Sequence, residues 1–421
     1  MPAVPACYTE RVPRISPFRG LLYDPSVAGP WEQLTAPPYD VISESDQEGL
    51  RARSPYNIVH IDQAEGRGHD GSAGSYARAA SLLAGWRASG VLRAPDAPWY
   101  YGYELRYALD GTRRRLRGIV GALELEPWGG TVLPHEHTMP GPIEDRLRLL
   151  RATRTHLSPI YGTISGPCAP LNDLLDRTDD ADPIANVRDQ EGVEHRMWAI
   201  GGDEDVASWL ADEPLLIADG HHRYATALAY RDERRAADGP GPWDRILTLV
   251  VDAGTEEVPV LPYHRVQMAG RPPTGGSPAV DLAQVLAGAD DLQLRFGTVA
   301  KVGEAVTYRI HRLRGDPPTV LALHEQLLDR VAPGDALRFT PIAEDADAAV
   351  RDGSAIAAYL LPGTTPDRVR AVIQRGDRLP RKSTFFWPKP RTGMILMPID
   401  GPIDGPIDGS VDEPLDGPLD R

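Results

Sequence analysis

The densest group of residues that could do chemistry is Asp219-Gly220-His221-His222-Arg223, which follows the short apolar run Leu215 to Ala218 and opens a helix reaching about Ala237. Glycine permits a tight turn there. The unpaired amides and the positive end of the helix dipole then face one spot, which suits a phosphate group. His221, His222 and Arg223 add side-chain donors in the first turn, and Arg223 can grip phosphate oxygens through two parallel bonds. Asp219 would be available to a magnesium ion bridging those oxygens. The plainer alternative is an ordinary strand-to-helix turn with Asp219 as its cap and the histidines on a solvated face.

Two further clusters carry polar chemistry. In Leu133-Pro134-His135-Glu136-His137 the spacing is not the i, i+4 histidine pair of a zinc-binding helix, so a metal site is a weak reading. A single carboxylate near a phosphate-binding turn can instead take a proton from an attacking hydroxyl, and Glu136 is the candidate. Its plainer alternative is a surface carboxylate paired with Arg146 or Arg148. In Leu379-Pro-Arg-Lys-Ser-Thr-Phe-Phe-Trp-Pro-Lys-Pro-Arg, Lys382, Ser383 and Thr384 could hold an anionic group against an apolar wall, with Lys389 and Arg391 further along. Equally, Phe385, Phe386 and Trp387 could be plain core. Phe18-Arg19-Gly20, Ala36-Pro37-Pro38-Tyr39-Asp40, Ser54-Pro55-Tyr56-Asn57 and Leu261-Pro262-Tyr263-His264-Arg265 mix turn formers with polar groups and specify no chemistry.

The elements that must position these residues alternate between strand and helix. Tyr76, Ala79, Ala80, Leu83 and Trp86 recur at helical spacing, and Trp99 to Tyr107 and Leu116 to Leu125 read as strands joined at Asp110-Gly111. Asp145 to Arg154 reads as a helix ended near Ser158-Pro159. Ile246 to Val251 and Ile356 to Leu361 read as buried strands, and Pro366 to Gln374 as a short helix. The pattern predicts an α/β or α+β body, with Gly270 to Ser277 as its best internal linker.

Composition narrows the function classes. The chain has 421 residues, 41% of them hydrophobic, enough to bury a sizeable core. Its two cysteines, Cys7 and Cys168, are too few for a disulfide framework or a cysteine metal site. No apolar run spans a bilayer and none resembles a signal peptide, so a cytoplasmic protein away from membranes is expected. The net charge of −15 argues against nucleic acid as a partner. Arg113-Arg114-Arg115, beside Asp110-Gly111, reads as a solvated hairpin tip. From Gly401 a repeated Gly/Glu-Pro-Ile/Leu-Asp unit predicts a disordered acidic tail.

Taken in order, Phe-Arg-Gly, Ala-Pro-Pro-Tyr-Asp-Val-Ile-Ser, Ser-Pro-Tyr-Asn-Ile-Val, Leu-Pro-His-Glu, Asp-Arg-Leu-Arg-Leu-Leu-Arg-Ala-Thr, Ala-Asp-Gly-His-His-Arg-Tyr and Lys-Ser-Thr-Phe-Phe-Trp-Pro-Lys resemble the bacterial domain of unknown function 1015 family across nearly the whole body. Three pieces, Pro134-His135-Glu136, Asp219 to Arg223 and Pro380-Arg381-Lys382-Ser383-Thr384, also resemble the ADP-dependent free serine kinase of archaea. That enzyme belongs to the ParB/sulfiredoxin superfamily, and its corresponding pieces read Pro-His-Glu, Asp-Gly-His-His-Arg and Ser-Pro-Lys-Thr-Thr in the same order. The turn is similar to the phosphate turns of sulfiredoxins and ParB proteins as well; no cysteine occupies it, which argues against sulfiredoxin chemistry. This chain departs from the archaeal pattern in a longer stretch between Glu136 and Asp219 and in Arg381 between proline and lysine.

The resemblance implies a ParB/sulfiredoxin-like core with large insertions: an N-terminal segment 1–97, a catalytic core 98–270, an α/β subdomain 271–400 that contributes to the site, and the tail 401–421. It implies a phosphotransferase that uses ATP or ADP with Mg2+ to convert free L-serine, or a similar small hydroxyl compound, to its phosphate ester. Glu136 is then the general base, with Asp219 and His222 completing the catalytic set. Gly220, His221, His222 and Arg223 hold the nucleotide phosphates, Asp219 the metal, and His135, Lys382, Ser383 and Thr384 the substrate. The competing readings are a ParB-like nucleotide-binding switch or interaction protein without kinase activity, and a phosphate-ester hydrolase built on the same turn.

Overall fold

The computed structural model describes residues 13–64, 73–136, 138–210, 213–303, 305–332 and 336–400. The acidic segment from Gly401, Cys7 and His137 lie outside the described residues.

The body is built on a mixed nine-stranded sheet. Its strands are β1 (Ile15–Ser16), β2 (Tyr100–Leu109), β3 (Thr112–Glu124), β4 (Val132–Leu133), β5 (Ile160–Ile164), β6 (Ala185–Arg188), β7 (Glu194–Ile200), β8 (Leu215–Asp219) and β9 (Arg245–Asp252). They lie in the order β4-β8-β5-β9-β3-β2-β7-β6, with β1 added to β3. The pairs β4·β8 and β5·β9 are parallel and the others antiparallel. The hairpin β2–β3 turns at Asp110 and Gly111, both at positive φ, as the Asp-Gly signal predicts. Arg113 and Arg115 are exposed at its tip, where Arg115 pairs with Asp179.

Every residue of β9 is buried. Because strand side chains alternate in direction, Ile246 and Val250 enter one core with Ile217, Tyr224 and Ala227, while Leu247, Leu249 and Val251 enter another with Val120 and Leu216. Covered on both faces, such a strand reads as a continuous apolar run rather than an alternating one. The layers over the sheet include α1 (Glu44–Arg53), α2 (Ala73–Ala88), α3 (Pro140–Thr153) and α4 (His221–Asp238). Helices α3 and α4 pack side by side. Helix α3 starts five residues before Asp145, because prolines are tolerated in a first helical turn, and it stops at Arg154, which adopts a left-handed conformation.

After β9 the chain leaves the large sheet. Strand β10 (Val260–Pro262) leads into a six-stranded antiparallel sheet made of β11 (His264–Gln267), β12 (Ser277–Ala279), β13 (Arg295–Val302), β14 (Ala305–Arg312), β15 (Leu337–Thr340) and β16 (Ala357–Leu360), in the order β12-β14-β13-β16-β11-β15. Helix α5 (Pro366–Gln374) follows, and β17 (Thr384–Phe386) returns to pair with β10, Pro262 opposite Thr384. That pairing brings the entry to the second sheet and the exit from it to one place. No described helix is long and apolar enough to cross a membrane.

Candidate functional site

Strand β8 carries the turn. Its register against β5 slips between Ile217 and Asp219, a bulge that sets Asp219 at the end of the strand. Gly220 follows at φ 99°, and a Cβ there would come within 2.8 Å of Ile160 Cγ2, so glycine is required by conformation and by space. No side chain caps the N-terminus of α4. Its first-turn amides therefore border a solvent-open cleft of about 780 Å³.

Asp219 lies on that cleft but is not free. Its Oδ1 is 2.5 Å from Lys389 Nζ and its Oδ2 is 2.5 Å from Arg223 Nη2. Burial would raise its pKa, yet Lys389 first and Arg223 next pull it down to about 2. Lys389 also contacts Asp40 at 3.3 Å. Its pKa is driven up: burial opposes the charge, and the fields of Asp219 and Asp40 outweigh burial. Both carboxylate oxygens are thus paired with cations, so a magnesium ion at Asp219, as the sequence suggests, would have to displace Lys389 or Arg223. Among the described residues no group of three His, Cys, Asp or Glu side chains could hold a metal ion.

The histidines and Arg223 also have tasks the sequence does not reveal. His221 Nε2 accepts the His135 backbone N–H at 3.1 Å, and His222 Nε2 accepts that of Met139 at 3.0 Å. Both rings thus pin the segment carrying Glu136 onto the turn, and burial lowers both pKa values, keeping the rings neutral. His135 donates from Nδ1 to the Ile217 carbonyl at 2.8 Å, which leaves Nε2 to accept the Thr384 hydroxyl at 2.7 Å. Burial lowers its pKa to about 4. Arg223 donates from Nη1 to Ser158 Oγ at 2.9 Å and to the Pro159 carbonyl.

Glu136 is half-buried on the wall of the same cleft. It pairs with neither arginine considered for it: Arg146 binds Asp62 and Asp145, and Arg148 binds Glu144. Its Oε1 instead accepts the Ser383 backbone N–H at 3.2 Å. Burial raises its pKa, against the lowering pull of that hydrogen bond and of Lys382. The side chain of Ser383 turns to the Pro380 carbonyl, so this residue offers its amide rather than its hydroxyl.

Lys382 sits at φ 53°, uncommon for a residue with a side chain. Its Nζ lies 5.1 Å from the centre of the Tyr263 ring. The conformation is held by Arg265, fully buried, whose guanidinium donates to the carbonyls of Tyr263 at 2.6 Å and Lys382 at 2.8 Å. Burial lowers the pKa of Arg265 to about 9. The opposite wall holds Tyr39 and Asp40. Arg146 stacks on the Tyr39 ring at 4.1 Å, and burial raises the Tyr39 pKa to about 12.

The structure thus brings Glu136, His135, Asp219 to Arg223, Lys382 and Thr384 to one cleft, from three regions far apart in sequence. Sequence reasoning assigned no role to Tyr39, Asp40, Tyr263, Arg265 or Lys389. Tyr39, Asp40, Tyr263 and Arg265 belong to motifs noted for turn formers beside polar groups and Lys389 to the cluster from Leu379 to Arg391, and only contact between distant segments gives them a purpose.

Residues 15–275 match the family model described as "Protein of unknown function (DUF1015)". Among solved structures, the chain is similar to a free serine kinase in complex with AMP, at 14% identity over 61% of this chain and 83% of that chain, with a TM-score of 0.33. It is similar to a conserved hypothetical protein from Pyrococcus furiosus at 16% identity, covering 61% and 86% with a TM-score of 0.31. A third likeness is to SbnI with C-terminal truncation from Staphylococcus aureus, at 10% identity over 68% and 84%, with a TM-score of 0.32. Scores this low carry no argument about chemistry. No curated protein matches the sequence.

Proposed function

The chain belongs to the family described as "Protein of unknown function (DUF1015)", and we propose that its central cleft transfers a phosphoryl group from a nucleotide to a small hydroxyl compound, with free L-serine as the acceptor and O-phospho-L-serine as the product. The observation that carries this reading is the meeting of Glu136 with an uncapped helix N-terminus and two lysines in one cleft. A base, an anion cradle and fixed positive charge are the parts that phosphoryl transfer requires.

In this reading the first-turn amides from Gly220 to Arg223 receive the nucleotide phosphates, and Lys382 and Lys389 neutralise the charge that builds on the transferred group. Glu136 removes the hydroxyl proton as the substrate oxygen bonds to phosphorus. The bond from phosphorus to the bridging oxygen breaks, and the shortened nucleotide leaves with that electron pair. His135, His221 and His222 position Glu136 rather than touch phosphate, and Asp219 sets the place of Lys389. Since Asp219 is held by two cations, any magnesium would arrive on the nucleotide's own phosphates. The same reading takes 98–270 as a catalytic core of ParB/sulfiredoxin type, completed by 271–400 through Lys382 and Lys389.

The test is direct. Purified protein is incubated with ATP or ADP, with and without magnesium, and a panel of hydroxyl compounds including L-serine, and products are read by mass. A phosphorylated acceptor that disappears in Glu136→Gln supports the reading. Absence of any phosphorylated product across the panel, or release of inorganic phosphate from O-phosphoserine without nucleotide, overturns it.

A further inference from the structure

A second cleft lies on the other side of the segment from Pro37 to Ile42. Tyr39 and Asp40 face the first cleft, whereas Pro37, Val41 and Ile42 face the second, an opening of about 910 Å³. The segment from Lys389 to Arg391 is divided the same way, with Lys389 on the first cleft and Arg391 on the second. One face of α1 forms the floor: Ser45, Asp46, Gly49, Leu50 and Arg53, at the spacing that puts residues on one side of a helix. The N-terminus of α1 is already satisfied by a capping box between Ser43 and Asp46, so the helix end is not what this cleft offers.

Charge is what the cleft offers. Arg391 is 5% exposed, and its Nε and Nη2 are fixed by Thr35 Oγ1 at 2.8 Å and the Thr35 carbonyl at 3.0 Å. Its Nη1 stands 3.7 Å from Asp189 Oδ2, which already accepts from His195 Nε2 at 3.1 Å. Arg53 makes no hydrogen bond or ion pair with any described residue, yet its charge acts on Arg391. These two guanidiniums share the opening with the carboxylates of Asp46, Asp189 and Glu191, so the cleft presents both signs of charge to a ligand. Glu191 adds to the lining a carboxylate with one oxygen held by Trp387 Nε1 at 3.1 Å. Gly49, in the same lining, leaves open space, since a Cβ there would meet nothing within 4 Å. A mid-helix glycine costs about 1 kcal/mol relative to alanine, so the gap is kept against helix propensity.

We propose that this second cleft binds a free α-amino acid, its carboxylate between Arg53 and Arg391, its ammonium toward Glu191, and its side chain over Gly49 against Pro37, Ile42 and Leu50. A phosphate or a plain carboxylate would satisfy the arginines but stand against Glu191 and Asp46 with like charge. A zwitterion with an apolar side chain answers both signs and the wall. The inference does not rest on the kinase reading, because it uses none of the residues of the first cleft.

Isothermal calorimetry without nucleotide tests it, using glycine, L-leucine, L-serine, acetate, methylamine and inorganic phosphate as ligands. Saturable binding of at least one amino acid is expected, at least ten-fold tighter than acetate, methylamine or phosphate. Arg53→Ala should weaken it ten-fold or more. Gly49→Leu should remove L-leucine binding while leaving thermal stability at or above that of the parent. Glu136→Gln should leave L-leucine binding unchanged, which separates this site from the first cleft. Lack of saturable amino-acid binding by the parent, equal affinity for acetate or phosphate, or undiminished binding in both Arg53→Ala and Gly49→Leu overturns the proposal.

Discussion

Lys389 reaches Asp219 across 170 residues of sequence, its Nζ 2.5 Å from Oδ1, and this contact ties the returning C-terminal segment to the turn that opens α4. Both side chains are mostly buried, at 9% and 14% exposure, so neither charge is well served by water once the other is removed. Lys389→Met should therefore destabilise the fold by about 3 kcal/mol, the lower end for breaking a buried pair, because Arg223 still partners Asp219. Pairing it with Asp219→Asn should restore part of the loss. Chemical denaturation of the two single variants and the double variant measures the coupling, and strict additivity would show that the contact is energetically idle.

The same pair sets an acid limit. The pKa of Asp219 falls from an ordinary 3.8 to about 2 in the folded protein, so the unfolded chain binds the proton more readily. A depressed carboxylate contributes stability that is fully present above pH 4 and is lost as the pH falls through about 2. The contribution is about 2 kcal/mol. Unfolding free energies measured between pH 5 and 2 should fall less steeply for Asp219→Asn than for the parent.

Glu136 has the opposite shift, and its consequence is kinetic. Burial raises its pKa, and a general base must be ionised, so phosphoryl transfer should decline as the pH drops through a value above the ordinary carboxylate range. Glu136→Gln should retain nucleotide binding within about two-fold, since in the proposed reaction the base meets the acceptor and not the donor. It should lower kcat by a factor of about 10² to 10⁴. Nucleotide titration alongside a pH–rate profile separates the two effects, and an unchanged kcat would remove Glu136 from the chemistry.

Much of the fold is legible because local pattern and tertiary role agree. Asp110-Gly111 marks the β2–β3 hairpin, the apolar run of β9 is buried on both faces, and α5 spans the Pro366–Gln374 the pattern predicts, with Thr365 as its cap. The hairpin of β13 and β14 escapes such reading because β13 buries Gly297 and Thr298 among its apolar residues and β14 is only partly buried along its length. At the site, residue types are legible but partners are not. His221 and His222 look like phosphate donors, and the structure spends their Nε2 atoms on backbone amides of the 135–139 segment. Asp40 and Lys389 look like parts of unrelated turns, because their contact depends on pairing β10 with β17.

The bond between His135 and Thr384 is a second long-range tie, and it tests whether the neutral tautomer matters. His135 Nε2 is buried and takes its hydrogen bond from the Thr384 hydroxyl at 2.7 Å. Thr384→Val keeps the shape and removes the donor, leaving a buried acceptor unsatisfied at a cost of about 1–3 kcal/mol. Thr384→Ser keeps the donor and should cost less. Thermal unfolding ranks the variants, and equal losses would show that packing rather than the hydrogen bond holds the strand.

Gly220 offers the sharpest test of the turn itself. At φ 99° an alanine is strained, and its Cβ would press on Ile160 Cγ2 at 2.8 Å and on Arg223 Nη2 at 3.0 Å. The left-handed backbone alone costs about 1–2 kcal/mol for a residue with a Cβ, before any shift of Ile160. Arg223 would be pushed from Asp219, weakening the pair that helps keep its carboxylate ionised. Gly220→Ala should therefore lose at least that much stability and weaken nucleotide binding by more than ten-fold, whereas Gly239→Ala, at the far end of α4 where a Cβ meets nothing within 4 Å, should leave nucleotide binding intact. Comparing nucleotide affinity in these two variants separates backbone strain anywhere along the helix from damage to the anion cradle.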